Sequence, residues 1–235
     1  MTRSTYELFE NYMLSCAKDS AHDKEHIYRV LFHAMQIAKQ EAGVDYDVLI
    51  CACLLHDIGR PEQFANPKLC HAEIGAEKAK RFLLSHGYAK GFVEQVAHCI
   101  LCHRYRNGNV PQTLEAKILF DADKLDATGA MGIARTLVYK GQVSEPLYNL
   151  NTDGTVSNGE KDIMPSFFQE YKYKLEKVYD RFYTEEAKKM ARQYQEHAVS
   201  FYEDLLAEVT DSYEQGNSEL ENYFEKGEDT DCVLI

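Results

Sequence analysis

An adjacent histidine and aspartate, His56 and Asp57, follow the most apolar segment of the chain, residues 48–55. An isolated carboxylate beside a buried helix is costly, so it has to be neutralised, paired or bound to a metal. An imidazole nitrogen and a carboxylate oxygen that are neighbours in sequence can bind the same ion. Taken alone, the pair is better explained by an aspartate that caps a helix beside a buried histidine.

Further histidines and carboxylates occur at helical spacing on both sides of this pair. His26 borders the apolar stripe of a predicted helix, and His22 and Asp23 precede it by about one turn. Downstream, a predicted helix that is largely apolar carries three aspartates, Asp121, Asp123 and Asp126. Histidines combined with carboxylates favour a divalent ion such as Mn, Fe, Co or Zn, and they also permit Mg.

The order His, His-Asp and then Asp resembles the HD-domain superfamily of metal-dependent phosphohydrolases. The strings AHDKEHIYRV, LLHDIGRPE, HAEIGAEKA and LFDADKLDATGAMGIAR carry the resemblance, which extends from about residue 21 to residue 135. It is nearest to a bacterial branch that includes nucleoside triphosphate pyrophosphohydrolases.

The resemblance implies four metal ligands: His26, His56, Asp57 and Asp123. Asp123 is matched because its string Ala-Asp-Lys-Leu is similar to the Ala-Asp-Arg-Leu of related hydrolases. Asp126 lies one turn further along the same helix and is the alternative ligand. Asp121 is expected to face elsewhere.

His71 and His103 are the candidate catalytic groups beside Asp57. Some members of the superfamily use histidines between the HD pair and the last aspartate to hold a second metal. We expect one tightly held ion, manganese, with Mg, Co, Fe, Ni or Zn as alternatives, and a second ion stays open. His71 and His103 are then expected to face the substrate or to transfer protons, since His71 opens a helix whose free N–H groups suit a phosphate.

Positive side chains beside the motifs are the candidate substrate ligands. They are Arg60, Lys68, Arg104, Lys124 and Arg135, with Tyr105 and Arg106 directly after Arg104. A metal-activated water flanked by such cations predicts hydrolysis of a phosphate ester or anhydride. The expected substrate is a small nucleotide, cleaved by a nucleoside triphosphate pyrophosphohydrolase or a related phosphatase. The alternatives are a non-catalytic nucleotide-binding regulatory module and a phosphodiesterase or alarmone hydrolase.

The string HCILCH offers a competing metal site, because Cys99 and Cys102 have the spacing of zinc ligands. A structural zinc site usually needs a second such pair, and the sequence has none at that spacing. On a helix these two cysteines are more simply explained as core residues.

Helical periodicity covers almost the whole chain and predicts an all-α fold. The predicted helices are 24–40, 48–56, 71–85, 92–102, 114–126 and 130–139. With the resemblance, we expect a single HD-domain helical bundle over 1–235 with extra C-terminal helices. Its parts are a metal-site core at 21–140, a loop or lid at 141–165, C-terminal helices packed on the core at 166–215 and a mobile tail at 216–235.

Composition restricts the partners of the protein. The formal net charge of −12 disfavours nucleic-acid polymers and anionic membranes, but it permits a small phosphorylated ligand bound through a metal. No apolar run approaches the roughly 20 residues of a membrane span, and no signal peptide is evident, so we expect a cytoplasmic protein.

Seven cysteines are an odd number and favour reduced thiols. The final CVLI has the outline of a prenylation box, but the acidic residues before it argue against lipidation. The tyrosine-rich C-terminal helices leave a homodimer open.

Overall fold

The computed structural model describes residues 1–16, 24–104 and 108–228, and the regular secondary structure within these ranges is helical. The β-type pairing found there is an isolated bridge between Leu150 and Val156. The all-α prediction is therefore confirmed. The chain divides into two compact units, Met1–Asp126 with Arg181–Ala191 and Ala127–Asp180 with Arg192–Ile235. The prediction of a single domain stays a prediction.

The first unit contains the histidine and aspartate motifs. Its helices are α1 (Arg3–Cys16), α2 (Lys24–Ala38), α3 (Tyr46–Leu55), α4 (Arg60–Ala65), α5 (His71–Ser85), α6 (Lys90–Cys102) and α7 (Leu114–Leu125). Helix α3 contacts α1, α2, α6 and α7, so it is the central helix of this unit.

Helix α3 is central because its sequence is apolar on every side. Leu49, Leu54 and Leu55 are fully buried, and each such side chain contributes about 1.5–3 kcal/mol to folding. The start of the helix is capped by Asp45, whose carboxylate accepts hydrogen bonds from two backbone N–H groups of the first turn. His56 caps its C-terminal end, so the HD pair directly follows the buried helix.

A close backbone contact follows the HD pair. The sequence predicts a helix end at residues 58–61, and the structure places there the start of the short helix α4, with Pro61 in its first turn. A Cβ atom at Gly59 would collide with the carbonyl oxygen of His71 and the amide nitrogen of Gly75. Glycine is therefore required at residue 59 to bring the HD turn against the start of α5.

Helix α7 is tied to the segment that returns to the first unit. The buried carboxylate of Asp121 accepts hydrogen bonds from the backbone N–H groups of Tyr183 and Thr184 and from the Thr184 hydroxyl. These contacts occupy Asp121 in holding Tyr183 and Thr184, in agreement with the expectation that it faces away from the metal site.

The second unit has its own apolar core. It contains α8 (Gly129–Gln142), α9 (Phe167–Tyr173), a 3-10 helix (Leu175–Asp180) and most of α10 (Glu185–Glu228). Its core consists of seven buried residues: Ile133, Phe167, Phe168, Tyr171, Leu175, Ala198 and Tyr202. The rings of Tyr171 and Tyr202 stack with centroids 4.0 Å apart.

The structure adds local detail to two C-terminal expectations, which stay predictions. In the predicted loop or lid at 141–165, Asp162 accepts hydrogen bonds from Asn149 and Ser157 and so ties the loop together. Helix α10 continues to Glu228, whereas the sequence predicts a mobile tail from residue 216. The CVLI terminus lies outside the described residues. No helix in the described part of the chain is both long and apolar enough to cross a membrane.

Candidate metal centre

Two histidines and an aspartate from three helices converge in the first unit. The Nε2 atoms of His26 and His56 lie 3.4 Å apart. Asp123 Oδ1 lies 3.2 Å from Nε2 of His26 and 3.9 Å from Nε2 of His56. We call these three residues the first triad; their ligand atoms all lie within 4.8 Å of one another, which is suitable for a metal ion.

Asp57 belongs to a second group of the same kind. Its Oδ1 lies 3.4 Å from Nε2 of His71 and 3.7 Å from Nε2 of His103, and these two nitrogens are 3.1 Å apart. Asp57, His71 and His103 form the second triad. The other carboxylate oxygen of Asp57, Oδ2, lies 3.6 Å from Nε2 of His26 in the first triad. The carboxylate of Asp57 therefore lies between the two triads.

Backbone carbonyl groups at helix ends orient two of the histidines. Nδ1 of His56 lies 2.7 Å from the carbonyl oxygen of Cys53, and Nδ1 of His103 lies 2.6 Å from that of Ile100. A carbonyl oxygen only accepts, so in each ring Nδ1 carries the proton. The Nε2 lone pair that a metal requires is consequently directed into the triad.

His26 is oriented by a carboxylate. Its Nδ1 lies 2.7 Å from Asp126 Oδ2, and Arg29 donates to Asp126 through Nε at 2.6 Å and through a second guanidinium nitrogen at 3.2 Å. Asp126 is fully buried and contacts the side of the ring opposite to Nε2. Asp123, on the Nε2 side, is therefore better placed than Asp126 to bind the ion, and Asp126 orients the histidine.

In the first triad, the hydrogen bonds between His26 and nearby carboxylates favour the charged forms of both partners. Burial works against protonation of His26, but hydrogen bonds to Asp123 and Asp126 raise its pKa to about 9. Burial lowers the pKa of His56 to about 4. Burial also opposes ionisation of Asp123, yet its hydrogen bond with His26 holds the pKa of this carboxyl well below its usual range. In the metal-free protein at neutral pH, the positive charge of a protonated His26 thus offsets part of the negative charge of Asp123 and Asp126.

The second triad is dominated by burial and by nearby cations. Burial lowers the pKa of His71 to about 3, so its ring is neutral at physiological pH. Asp57 stays ionised despite its burial, because His56 and Arg60 hold the pKa of its carboxyl well below the usual range. A neutral imidazole and an ionised carboxylate are the forms that bind metals.

The predicted substrate-binding cations are placed in different ways. Arg60 donates from Nε to Asp57 Oδ1 at 2.9 Å, and Arg104 has Nη1 3.3 Å from Nδ1 of His71. The ammonium of Lys124 donates to the backbone carbonyl of Arg181 at 2.9 Å and lies over the rings of Phe120 and Phe182. Lys68 is exposed between α4 and α5, and Arg135 is in α8 of the second unit. The structure thus brings Arg60 and Arg104 to the triads, whereas Lys124 is engaged elsewhere.

Two polar residues of the centre were not singled out in the sequence. Arg29 follows His26 by three residues, so a helical wheel places both on one face. Gln63 contacts His71 and has no comparable sequence signal, because the two are brought together by the α4–α5 turn. His22, Asp23, Tyr105 and Arg106 lie outside the described residues.

The alternative zinc site does not form in the part of the chain that the structure describes. Cys99 is fully buried, and burial raises its pKa to about 12. The thiol of Cys102 lies 3.7 Å from Nδ1 of His98, one turn away on the same helix. Neither cysteine belongs to a group of described residues that could hold a metal. Both are better explained as core residues.

Comparison with known proteins finds a family model and several similar proteins. A model of the HD domain matches residues 24–128. The uncharacterized protein YpgQ of Bacillus subtilis (strain 168) is 26% identical over 196 residues, which cover 82% of this chain and 86% of YpgQ. A crystal structure of YpgQ in complex with ADP matches with a TM-score of 0.67 at 24% identity, over 87% of this chain and 97% of that chain.

Two further solved structures carry the name of the superfamily. The predicted HD superfamily hydrolase from an uncultured Thermotogales bacterium is 33% identical, with a TM-score of 0.58 over 86% of this chain and 91% of its own. An HD-superfamily hydrolase from Bacillus thuringiensis is 27% identical, with a TM-score of 0.66 over 88% of this chain and 97% of its own. With this identity over most of both chains, the protein belongs to the HD superfamily of hydrolases.

Proposed function

We propose that the protein is a metal-dependent phosphohydrolase that cleaves a small nucleotide at the two triads. The observation that carries the proposal is the shared carboxylate of Asp57, which has one oxygen near each triad. Asp57 would therefore supply a ligand oxygen to a divalent ion held at either triad. Either triad alone supplies three ligands and leaves positions for water and substrate.

The donor set suits manganese, and it fits a pair of ions better than the single ion expected from the sequence. Imidazole and carboxylate ligands favour Mn, Fe, Co or Zn over Mg, which prefers an all-oxygen shell. The Nε2 atoms of His71 and His103 lie 3.1 Å apart and face Asp57. This arrangement favours a ligand role for both histidines over the proton-transfer role.

The chemistry follows from the side chains that would hold the metal and the phosphate oxygens of the substrate. When bound, a divalent ion acidifies a water molecule and offsets charge on phosphoryl oxygens. Arg60 and Arg104 lie at the second triad, where their planar guanidinium groups can bind phosphate oxygens through paired N–H donors. Asp57 keeps its negative charge at neutral pH and so remains available as a ligand throughout the reaction.

A nucleotide is the proposed substrate class because the relative YpgQ is seen in complex with ADP. The acidic surface, with a net charge of −12, means that an anionic substrate depends on metal and arginine for binding. A nucleoside triphosphate pyrophosphohydrolase or a related phosphatase fits this centre. A phosphodiesterase or alarmone hydrolase would use the same ligands, and a regulatory module would bind the nucleotide without cleaving it.

The test is a release assay for phosphate and pyrophosphate. Nucleoside mono-, di- and triphosphates are incubated with Mn, Mg, Co or Zn and with wild type or Asp57→Asn. Metal-dependent release that is lost in Asp57→Asn supports the proposal, and the product identifies the bond. Asp204→Asn, at an exposed residue of α10, removes the same charge elsewhere and should match wild type. Nucleotide binding without turnover, in folded and metal-loaded protein, would support the regulatory module instead.

A further inference from the structure

Gln63, on α4, contacts His71 from the side opposite to the second triad. Its Oε1 lies 2.7 Å from Nδ1 of His71, and its Nε2 donates to the carbonyl oxygen of Leu69 at 3.0 Å. Because the Leu69 oxygen can only accept, it fixes which end of the amide faces the ring. The amide oxygen therefore accepts the Nδ1 proton, and Nε2 of His71 keeps the lone pair that faces Asp57.

Arg104 determines which ring nitrogen of His71 would carry the proton if the amide of Gln63 were removed. Its Nη1 lies 3.3 Å from the same Nδ1 of His71, and a guanidinium group only donates. Once the acceptor on Gln63 is lost, Nδ1 is best satisfied as an acceptor for Arg104. The ring proton then belongs on Nε2, 3.4 Å from Asp57 Oδ1, where it blocks metal binding.

The two triads differ in the acceptor behind one histidine. Each contains a histidine held by a backbone carbonyl, His56 in the first and His103 in the second. The remaining histidine of the first triad, His26, is held by the carboxylate of Asp126, whereas His71 is held by the neutral amide of Gln63. A charged acceptor makes the imidazole a stronger ligand than a neutral one does.

We propose that Gln63 is a positioning residue that holds His71 in its Nδ1–H tautomer and sets the affinity of the second triad below that of the first. The inference rests on the proposed two-ion centre. With the His26 ring in its neutral form, the ion in the first triad stays bound at low metal concentration, and the ion at Asp57, His71 and His103 exchanges. Occupancy of the second triad then follows the concentration of available metal.

Three variants separate the acceptor from the rest of the side chain. Gln63→Leu removes the acceptor at similar size, and Gln63→Glu replaces it with a carboxylate, as Asp126 provides for His26. Gln95→Leu makes the same chemical change at an exposed residue of α6 and serves as the matched control. Circular dichroism and thermal unfolding establish that each variant is folded.

The first measurement is the tautomer of His71 in metal-free protein. Long-range ¹H–¹⁵N correlation spectra of ¹⁵N-histidine protein report which ring nitrogen carries the proton. We expect the proton on Nδ1 in wild type, Gln63→Glu and Gln95→Leu, and on Nε2 in Gln63→Leu. A folded Gln63→Leu with the wild-type tautomer, or wild type with the proton on Nε2, would overturn the inference.

The second measurement is a Mn²⁺ titration followed by calorimetry and by the electron paramagnetic resonance signal of free Mn²⁺. We expect two ions in wild type, a second ion bound roughly 10–100-fold more weakly in Gln63→Leu, and tighter second-ion binding in Gln63→Glu. The first ion should bind equally in all variants. Equal weakening of both ions, or an unchanged second ion in Gln63→Leu, contradicts the role of Gln63. A single ion in wild type removes both the two-ion centre and this inference, whereas failed hydrolysis alone removes only the enzymatic proposal.

Discussion

His26 carries a proton in the metal-free protein at neutral pH, and this proton has to leave before an ion can bind at Nε2. The hydrogen bonds to Asp123 and Asp126 outweigh burial and raise the pKa of His26 to about 9. A metal ligand requires the neutral imidazole. Binding at the first triad is therefore expected to release a proton and to strengthen as the pH rises.

The size of the effect follows from the pKa. At pH 7 about 1% of His26 is neutral, so the affinity of the first triad is about 100-fold below its value above pH 9 and rises about tenfold per pH unit. The folded pKa, about 9, exceeds the ordinary value of 6.5. Stabilisation by this proton is complete below pH 6.5 and is lost as the pH rises through 9. The loss in the metal-free protein is about 3 kcal/mol.

Calorimetry with Mn²⁺ at several pH values measures both quantities. Titrations in two buffers of different ionisation enthalpy give the number of protons released, which we expect to be about one for the first ion at pH 7. Urea unfolding of the metal-free protein should show stability falling between pH 7 and pH 9. Affinity that is independent of pH over this range, with no proton released, would refute the assignment of the proton to His26.

Three substitutions test the groups that position the ligands. In a Mn²⁺ titration above pH 9, where the proton on His26 no longer competes, Asp126→Asn should weaken the first ion by roughly 10–100-fold, because His26 loses its charged acceptor and Arg29 loses this carboxylate. Asp121→Asn should lower the free energy of unfolding by about 1.5–3 kcal/mol in urea melts and leave metal binding intact, because its hydrogen bonds among the described residues hold Tyr183 and Thr184. Gly59→Ala should cost about 1–3 kcal/mol in the same melts and weaken the second ion more than the first, because the added Cβ meets the backbone of His71.

Each expectation has a result that would contradict it. Wild-type affinity for the first ion in Asp126→Asn would show that the carboxylate does not tune His26. Loss of metal binding in a folded Asp121→Asn would give this residue a role that its contacts do not predict. Equal weakening of both ions in Gly59→Ala would show that the HD turn supports the two triads together.

The sequence predicts the ligands that lie on single helices better than their mutual arrangement. His56 and Asp57 are predictable because a wholly apolar helix stops at them, and His26 because it borders an apolar stripe. Asp123 and Asp126 are one turn apart at the C-terminal end of α7, so helical periodicity cannot separate them. Only the packing of α2 against α7 shows which side of the His26 ring each contacts.

The second triad shows where local pattern stops being informative. His71 and His103 begin α5 and end α6, and the contact between these helices brings their Nε2 atoms together. Nothing in either segment alone fixes that distance. Lys124 shows the reverse error. Its place beside Asp123 in the sequence predicts a phosphate contact, yet its ammonium donates to the backbone carbonyl of Arg181. Two residues that are adjacent in a helical sequence can therefore have side chains that contact different parts of the protein.

The position of each histidine on its helix explains which second partner it needs. His56 and His103 are the C-terminal caps of α3 and α6, where the last turn leaves carbonyl oxygens without helical partners. Each ring donates its Nδ1 proton to the carbonyl three residues earlier, so no further side chain is required. His71 is the first residue of α5, and His26 lies in the first turn of α2. Helix starts offer N–H groups rather than carbonyl oxygens, so these two histidines require acceptors from other segments, Gln63 and Asp126. The two triads therefore differ at the two histidines that lie at helix starts, since one has a charged acceptor and the other a neutral one. This difference sets the expected order in which the two ions bind.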